Sequence, residues 1–256
     1  MVDIHTHLLF NTDDGVENIE NAIEYIKTAK EVGIDTICVT PHYVEPEYNK
    51  TRIQNRRKLD KIKMELKKRN IDVKLYLGNE VYISEKINEN LKNDIITTIA
   101  KSDYILVELP RITKIKNLKE MFDAIINSGK KIIIAHPERY IYVQENIKYF
   151  DKYIQQGNIY LQGNYSSIIG TYGINVQKTI MKLIKEKKLH ILATDIHNNN
   201  LYEKIPEIMN ILKTSADKKY IEQLIEENPR KIIENKKINI KHKNNLTFKM
   251  LQIFNK

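Results

Sequence analysis

Ile132-Ile133-Ile134-Ala135-His136-Pro137-Glu138-Arg139 is an apolar run that stops abruptly in metal-ligating and charged side chains. A short run that is apolar on both alternating faces is covered on both sides, as strands of a parallel sheet are. Pro137 cannot donate to a β-ladder, so the strand ends at the histidine. The same grammar recurs across the first 200 positions. Short β-branched runs lie at 2–5, 36–40, 73–79, 103–108, 131–136, 159–163 and 190–195, which makes seven strands. Between them the apolar residues fall at helical spacing, as in Ile19, Ala22, Ile23, Ile26 and Ala29, or Leu59, Ile62 and Leu66.

Seven strand–helix units predict a parallel α/β fold. The polar residues choose between an open sheet and a closed one. His5 and His7, Asp13-Asp14-Gly15, Pro41-His42, Glu80, Glu108, His136 and Thr194-Asp195-Ile196-His197 sit at or just beyond the strand ends. An open sheet would concentrate chemistry at one switch point, whereas a barrel gathers it from every strand end around one axis. The expectation is a single-domain, distorted (βα)₇ TIM-like barrel over 1–235, followed by a basic tail at 236–256.

The 256 residues suit one such barrel, and the 41% hydrophobic content suffices for its core. The chain enters its first strand at once, without a secretory leader, and holds one cysteine, Cys38, so it reads as cytoplasmic. Of the formal charge of +9, six units come from Lys236, Lys237, Lys241, Lys243, Lys249 and Lys256 in a tail without acids. The near-neutral body argues against a nucleic-acid partner. The tail, with Leu246, Met250, Leu251 and Phe254 at helical spacing, reads as docked on the barrel, disordered, or in peripheral contact with a membrane or partner. Oligomeric state stays open, a homo-oligomer included. Eight basic residues from Arg56 to Arg69 form the solvated face of a helix, and Asn198-Asn199-Asn200 forms a loop beside the site.

His5 and His7 alternate with Ile4 and Thr6, so both imidazoles point to one face and can grip one ion. Glu80, Glu108 and His136 end apolar stretches, where an unpaired carboxylate costs several kcal/mol. A cation is the natural compensation. Nitrogen and oxygen donors without thiolate suit Mn²⁺ first, with Fe²⁺ or Zn²⁺ as alternatives, and a multinuclear centre suits hydrolysis of a phosphate ester. Arg139 can grip phosphate with its planar fork or pair with a rim acid. Cysteine-based phosphatase chemistry is excluded, because Val44 stands where the arginine six residues after Cys38 would be required. G-x-S-x-G, P-loop and strand-linked G-x-G-x-x-G motifs are absent. His190 begins its strand, at the far face of the barrel, and His242 lies in the tail.

The ordered set D-x-H-x-H, D-G, P-H, E, E, H-P-E-R and D-x-H resembles the polymerase and histidinol phosphatase (PHP) superfamily. Within it, Asp13-Asp14-Gly15, Thr40-Pro41-His42-Tyr43, His136-Pro137-Glu138-Arg139 and Ser166-Ser167-Ile168-Ile169-Gly170 resemble the bacterial capsule and exopolysaccharide tyrosine phosphatases of the CpsB/CapC type. The resemblance implies a Mn²⁺-dependent enzyme with up to three ions. It would hydrolyse phosphotyrosine on a bacterial tyrosine autokinase that regulates polysaccharide synthesis, by attack of a metal-bound hydroxide. By position, His5, His7, Glu80 and Asp195 would hold one ion. Glu80 would bridge to a second with Glu108 and His136, and Asp14, His42 and His197 would hold a third. Arg139 would bind phosphate, and Asp3 would orient a ligand histidine from behind. The chain departs from the pattern where these phosphatases carry a phosphate-binding arginine after D-x-H; here Lys204 is the nearest cation. That departure keeps a small-molecule phosphatase, such as one for histidinol phosphate, as the alternative. A non-catalytic docking module is the reading from a different class.

Overall fold

The computed structural model describes residues 1–197 and 200–238. The strands are β1 (Val2–Thr6), β2 (Thr36–Val39), β3 (His42–Tyr43), β4 (Lys74–Leu77), β5 (Glu80–Tyr82), β6 (Tyr104–Glu108), β7 (Lys131–Ala135), β8 (Ile159–Asn164) and β9 (Ile191–Ala193). All pairings are parallel, in the orders β1-β2-β4 and β3-β5-β6-β7-β8-β9. Two of the seven expected strands are therefore broken. The stretch at 36–40 resumes as β3 beyond Pro41, and the stretch at 73–79 resumes as β5 beyond Gly78-Asn79. Pro41 has no N–H for the ladder, and the amide of Glu80 turns to the carbonyls of Thr40 and Pro41, at 3.3 and 3.2 Å.

These breaks distort the barrel and leave seven staves. The lower half of the wall runs from the first stave to the third, and the upper half from the second to the seventh. Closure comes from β9 back to β1. The amide of Asp195 donates to the His5 carbonyl at 2.9 Å, and that of His7 donates to the Ile196 carbonyl at 3.0 Å. The strands are buried on both faces, so apolar residues dominate them, and their polar members, Asp3, His5, Thr6, Glu108, Gln162 and Asn164 among them, are buried as well.

The outer helices bury the predicted stripes. Ala22, Ile23, Ile26 and Ala29 face inward on the helix Ile19–Glu31, capped by Asn18; Leu59, Ile62 and Leu66 do so on Arg52–Lys68, which opens with a Thr51/Gln54 capping box. Packing continues beyond the expected boundary at 235. Ile238 is buried, and Tyr104 donates its hydroxyl to the Lys236 carbonyl at 2.8 Å. The rest of the tail, and Asn198-Asn199, lie outside the described residues. Among the described residues no helix is long and apolar enough to cross a membrane.

Asp3 secures the closure. Its carboxylate accepts from the Thr194 amide at 3.1 Å, from the Thr194 hydroxyl at 2.5 Å and from the His5 amide at 3.3 Å, all buried. It touches the ring of no histidine in these bonds, which corrects the expectation that Asp3 orients a ligand imidazole. Asp3→Ala strands the Thr194 amide in the interior and leaves the Thr194 hydroxyl only the His5 carbonyl, 3.4 Å away, and a stranded buried donor costs about 1–3 kcal/mol. A loss of about 3 kcal/mol in urea unfolding is expected; an unchanged midpoint would refute this role.

Candidate metal centre

The strand ends place nine nitrogen- and oxygen-bearing side chains at one mouth. His5 lies in β1 and His7 just after it, Asp14 is on the loop that follows, His42 opens β3, Glu80 opens β5, Glu108 closes β6, His136 follows β7, and Asp195 and His197 follow β9. Two of these positions break local backbone rules: His136 has φ 31° and Asp195 φ 52°. A left-handed non-glycine residue costs roughly 1–3 kcal/mol, and such strain concentrates at functional sites. Here it turns each chain end sharply away from its strand.

Four atoms crowd together at the axis. His5 Nε2 lies 3.2 Å from His7 Nε2, 3.1 Å from Glu80 Oε2 and 3.2 Å from Asp195 Oδ1, while His7 Nε2 lies 3.3 and 3.2 Å from the same two oxygens. These are five of the six edges of a tetrahedron, and a regular one with such edges has its centre about 2.0 Å from each corner, the usual ligand distance of a first-row divalent ion. A second group joins His7, Asp14, His42 and His197, with His197 Nε2 at 3.3 Å and His42 Nε2 at 3.6 Å from Asp14 Oδ1. A third joins His42, Glu80 and Glu108. His136 Nε2 flanks it, 2.9 Å from Glu80 Oε1 and 3.8 Å from Glu108 Oε1. Glu80 Oε2, His42 Nδ1 and His136 Nδ1 are buried without a hydrogen-bond partner. Such orphans are costly, and a cation amid the crowded lone pairs of this centre relieves that of Glu80 and His42. The donor set fits divalent metal.

A surrounding layer fixes which atom faces the centre. Gln162 donates its amide nitrogen to Gly163 and Asn164, so its oxygen, 2.8 Å from His5 Nδ1, accepts from that ring. Asp13 accepts from His7 Nδ1 at 2.8 Å and from the His42 amide at 2.8 Å. His197 Nδ1 donates to the Asp195 carbonyl at 2.9 Å. In each case Nε2 keeps a lone pair for the centre. Asn164 and Arg139 both donate to Asp195 Oδ2, at 2.7 and 3.0 Å, leaving Oδ1 for the cluster. The orienting role thus belongs to Asp13 and Gln162. Asp13 stood in a quoted motif without a role, and no local signal marked Gln162.

The loop carrying Asp13 and Asp14 is built to reach the histidines. A side chain at Gly15 would put its Cβ 2.0 Å from the His7 carbonyl oxygen. Lys58, expected on a solvated face, instead donates its ammonium to the Phe10 carbonyl at 3.0 Å and the Thr12 hydroxyl at 3.2 Å. Glu138 is buried between the Asn164 amide, at 2.9 Å, and the Ser167 hydroxyl, at 2.7 Å. It anchors the turn that bears Arg139. Arg139 lies over the Tyr172 ring at 4.3 Å, a cation–π contact that helps hold it in place. Lys204 is not brought to these clusters: its Nζ is 3.5 Å from Glu207 on the helix Asn200–Ser215, and its side chain is 57% exposed. His190 precedes β9, where its Nδ1 accepts from the Leu161 amide. Burial pushes the Cys38 thiol up to about 12 and leaves it unreactive.

Electrostatics follow from this crowding. Burial pushes the Glu108 carboxyl up to about 7, helped by the Glu80 charge, and drives His136 down to about 4. Burial also disfavours charge on His5, yet Glu80 and Asp195 outweigh it and hold its proton up to about 10. A cation binding there must displace that proton throughout the neutral range, so affinity falls as pH falls. Mn²⁺ titrated at pH 8 in buffers of different ionisation enthalpy is expected to show proton release; heats independent of the buffer would contradict it. Gln162→Leu is expected to weaken metal affinity about 10–100-fold by releasing the His5 ring, and unchanged affinity would remove Gln162 from this role.

The sequence model of a family described as capsular polysaccharide synthesis, CpsB/CapC, matches residues 1–234. CapC of Staphylococcus aureus is 32% identical over 225 residues, covering 88% of this chain and 87% of that protein. The tyrosine-protein phosphatase YwqE of Bacillus subtilis is 28% identical over 198 residues, covering 77% and 78%. Among solved structures, a chain from the work on YwqE of Bacillus subtilis and CpsB of Streptococcus pneumoniae, described as metal-dependent tyrosine phosphatases, superposes with a TM-score of 0.86. The two are 24% identical, and the match covers 94% of this chain and all of that one.

Proposed function

We propose, from the premise that this chain belongs to the CpsB/CapC family of capsular polysaccharide synthesis, that it is a metal-dependent protein-tyrosine phosphatase. The observation that carries the reading is the crowd of lone pairs around His5, His7, Glu80 and Asp195, packed to the dimensions of one divalent ion. We assign these four to one ion, Glu80, Glu108 and His136 to a second, and Asp14, His42 and His197 to a third. Mn²⁺ is the native metal in this reading. Bound there, such ions supply positive charge against phosphate oxygens and acidify water.

The chain's own residues do the rest. Arg139, held on Asp195 Oδ2 at 3.0 Å and over the Tyr172 ring, offers its remaining donors to the phosphate. Asp13 and Gln162 hold His7 and His5 in the tautomers that leave Nε2 free. The departing phenol has a pKa near 10, far below an alkyl alcohol, so the site does not require a strong general acid. This favours phosphotyrosine. The substrate in this reading is the phosphotyrosine of a cytoplasmic tyrosine autokinase that controls capsule or exopolysaccharide synthesis, a setting supported by the family and by the named activity of YwqE.

The test is kcat/KM of the Mn²⁺-loaded protein on phosphotyrosyl and phosphoseryl peptides and on histidinol phosphate, with and without chelator. Chelator-sensitive preference for the phosphotyrosyl peptide is expected. Preference for histidinol phosphate would replace the substrate and keep the metal chemistry, and chelator-resistant turnover would overturn both.

A further inference from the structure

We infer that Arg111, on the loop after β6, is a second phosphate-binding cation of this site, standing in a cleft that opens on the metal-ligand cluster. The inference rests on the phosphatase reading. The cleft has a volume of about 320 Å³, and its lining includes His42 and Glu108, two members of one donor group, together with Tyr48, Tyr82 and Arg111. That volume is near the lower end of the roughly 300–1,000 Å³ of small-molecule sites, a size for one side chain.

The walls are held in place. Tyr48 stacks on His42 with ring centroids 5.8 Å apart, and its backbone is paired with Val44 by bonds of 2.7 and 2.8 Å. The Arg111 carbonyl accepts from the Ile141 amide at 2.9 Å, which fastens its loop to the segment just after Arg139. The Arg111 guanidinium itself is 55% exposed, with Nη2 3.6 Å from Glu108 Oε1. Only the arginine of this pair is exposed, Glu108 being buried, and the separation is longer than a hydrogen bond, so the guanidinium is held loosely. Once Glu108 gives its charge to a cation, Arg111 is left facing the cleft with no anion of its own among the described residues. A phosphate seated against the cluster supplies one, and a planar guanidinium suits it better than an ammonium. Lys204, on the helix Asn200–Ser215, does not line this cleft.

The experiment uses the full chain loaded with Mn²⁺, as wild type, Arg111→Ala, Arg111→Lys and Lys204→Ala. Inorganic phosphate binding is measured by calorimetric titration, and kcat and KM on a phosphotyrosyl peptide. Arg111→Ala is expected to weaken phosphate about tenfold or more and to raise KM in parallel with kcat little changed, with partial recovery in Arg111→Lys. Thermal melting should match wild type, since the side chain is exposed. Wild-type phosphate affinity in Arg111→Ala, or the loss appearing in Lys204→Ala instead, would overturn the assignment. Phosphate affinity that depends on Arg111 in a protein that turns over no phosphotyrosyl peptide would keep the anion site and defeat the phosphatase reading.

Discussion

Glu80→Gln is expected to lower kcat/KM on a phosphotyrosyl peptide by about 10³-fold or more, the equivalent of several kcal/mol of charge stabilisation. Four imidazoles of the centre, those of His5, His7, His42 and His136, meet the Glu80 carboxylate. Its Oε2 is 3.1 Å from His5 Nε2, 3.3 Å from His7 Nε2 and 3.1 Å from His42 Nδ1, and its Oε1 is 2.9 Å from His136 Nε2. Burial alone would favour the neutral acid, but the surrounding imidazoles hold its carboxyl well below the usual range. Glutamine keeps the shape and removes the charge. It also turns an N–H₂ toward nitrogens that must keep lone pairs, so bound metal should fall with activity. The check is metal content by mass spectrometry beside kcat/KM. Full metal occupancy with activity within tenfold of wild type would show that Glu80 is a bystander.

Arg139→Ala should act differently, leaving metal bound while kcat/KM drops by about 10²–10³-fold, the usual loss when one aligned donor to a developing anion is removed. Its two anchors, Asp195 Oδ2 and the Tyr172 ring, constrain the guanidinium before substrate arrives. Asp195 keeps its bond from Asn164 in the variant, so the ligand is still oriented. Arg139→Lys should recover little, because an ammonium cannot reproduce the fork or the stacking. Activity within threefold of wild type in Arg139→Ala would mean that the arginine serves Asp195 alone. The contrast with Arg111 is informative: Arg139 should weigh on kcat, Arg111 on KM.

Much of this architecture can be read from residues near one another in the chain. The runs that end in His136 or Glu108 carry both the strand and its destination, because burial on two faces demands apolar residues and the strand end alone tolerates a charge. The breaks at Pro41 and Gly78-Asn79 were harder, since the apolar pattern runs up to each interruption. They matter, for Glu80 opens a new strand instead of trailing an old one. Asp3 misled for another reason. A buried carboxylate two residues before His5, on the same face of β1, looks like an orienting group, but its oxygens are taken by the Thr194 amide and hydroxyl and by the His5 amide, not by an imidazole.

By itself, then, the sequence determined the barrel class, the donor types and the order in which they reach the mouth, because strand periodicity and ligand chemistry are local properties. Tertiary structure alone decided which nitrogen of each histidine faces the centre, that Gln162 supports His5 from 157 positions away, and that Arg111 rather than Lys204 borders the cleft. Those are choices among hydrogen-bond and ion-pair partners, made by distances of about 3 Å in space, and separation along the chain carries no record of them.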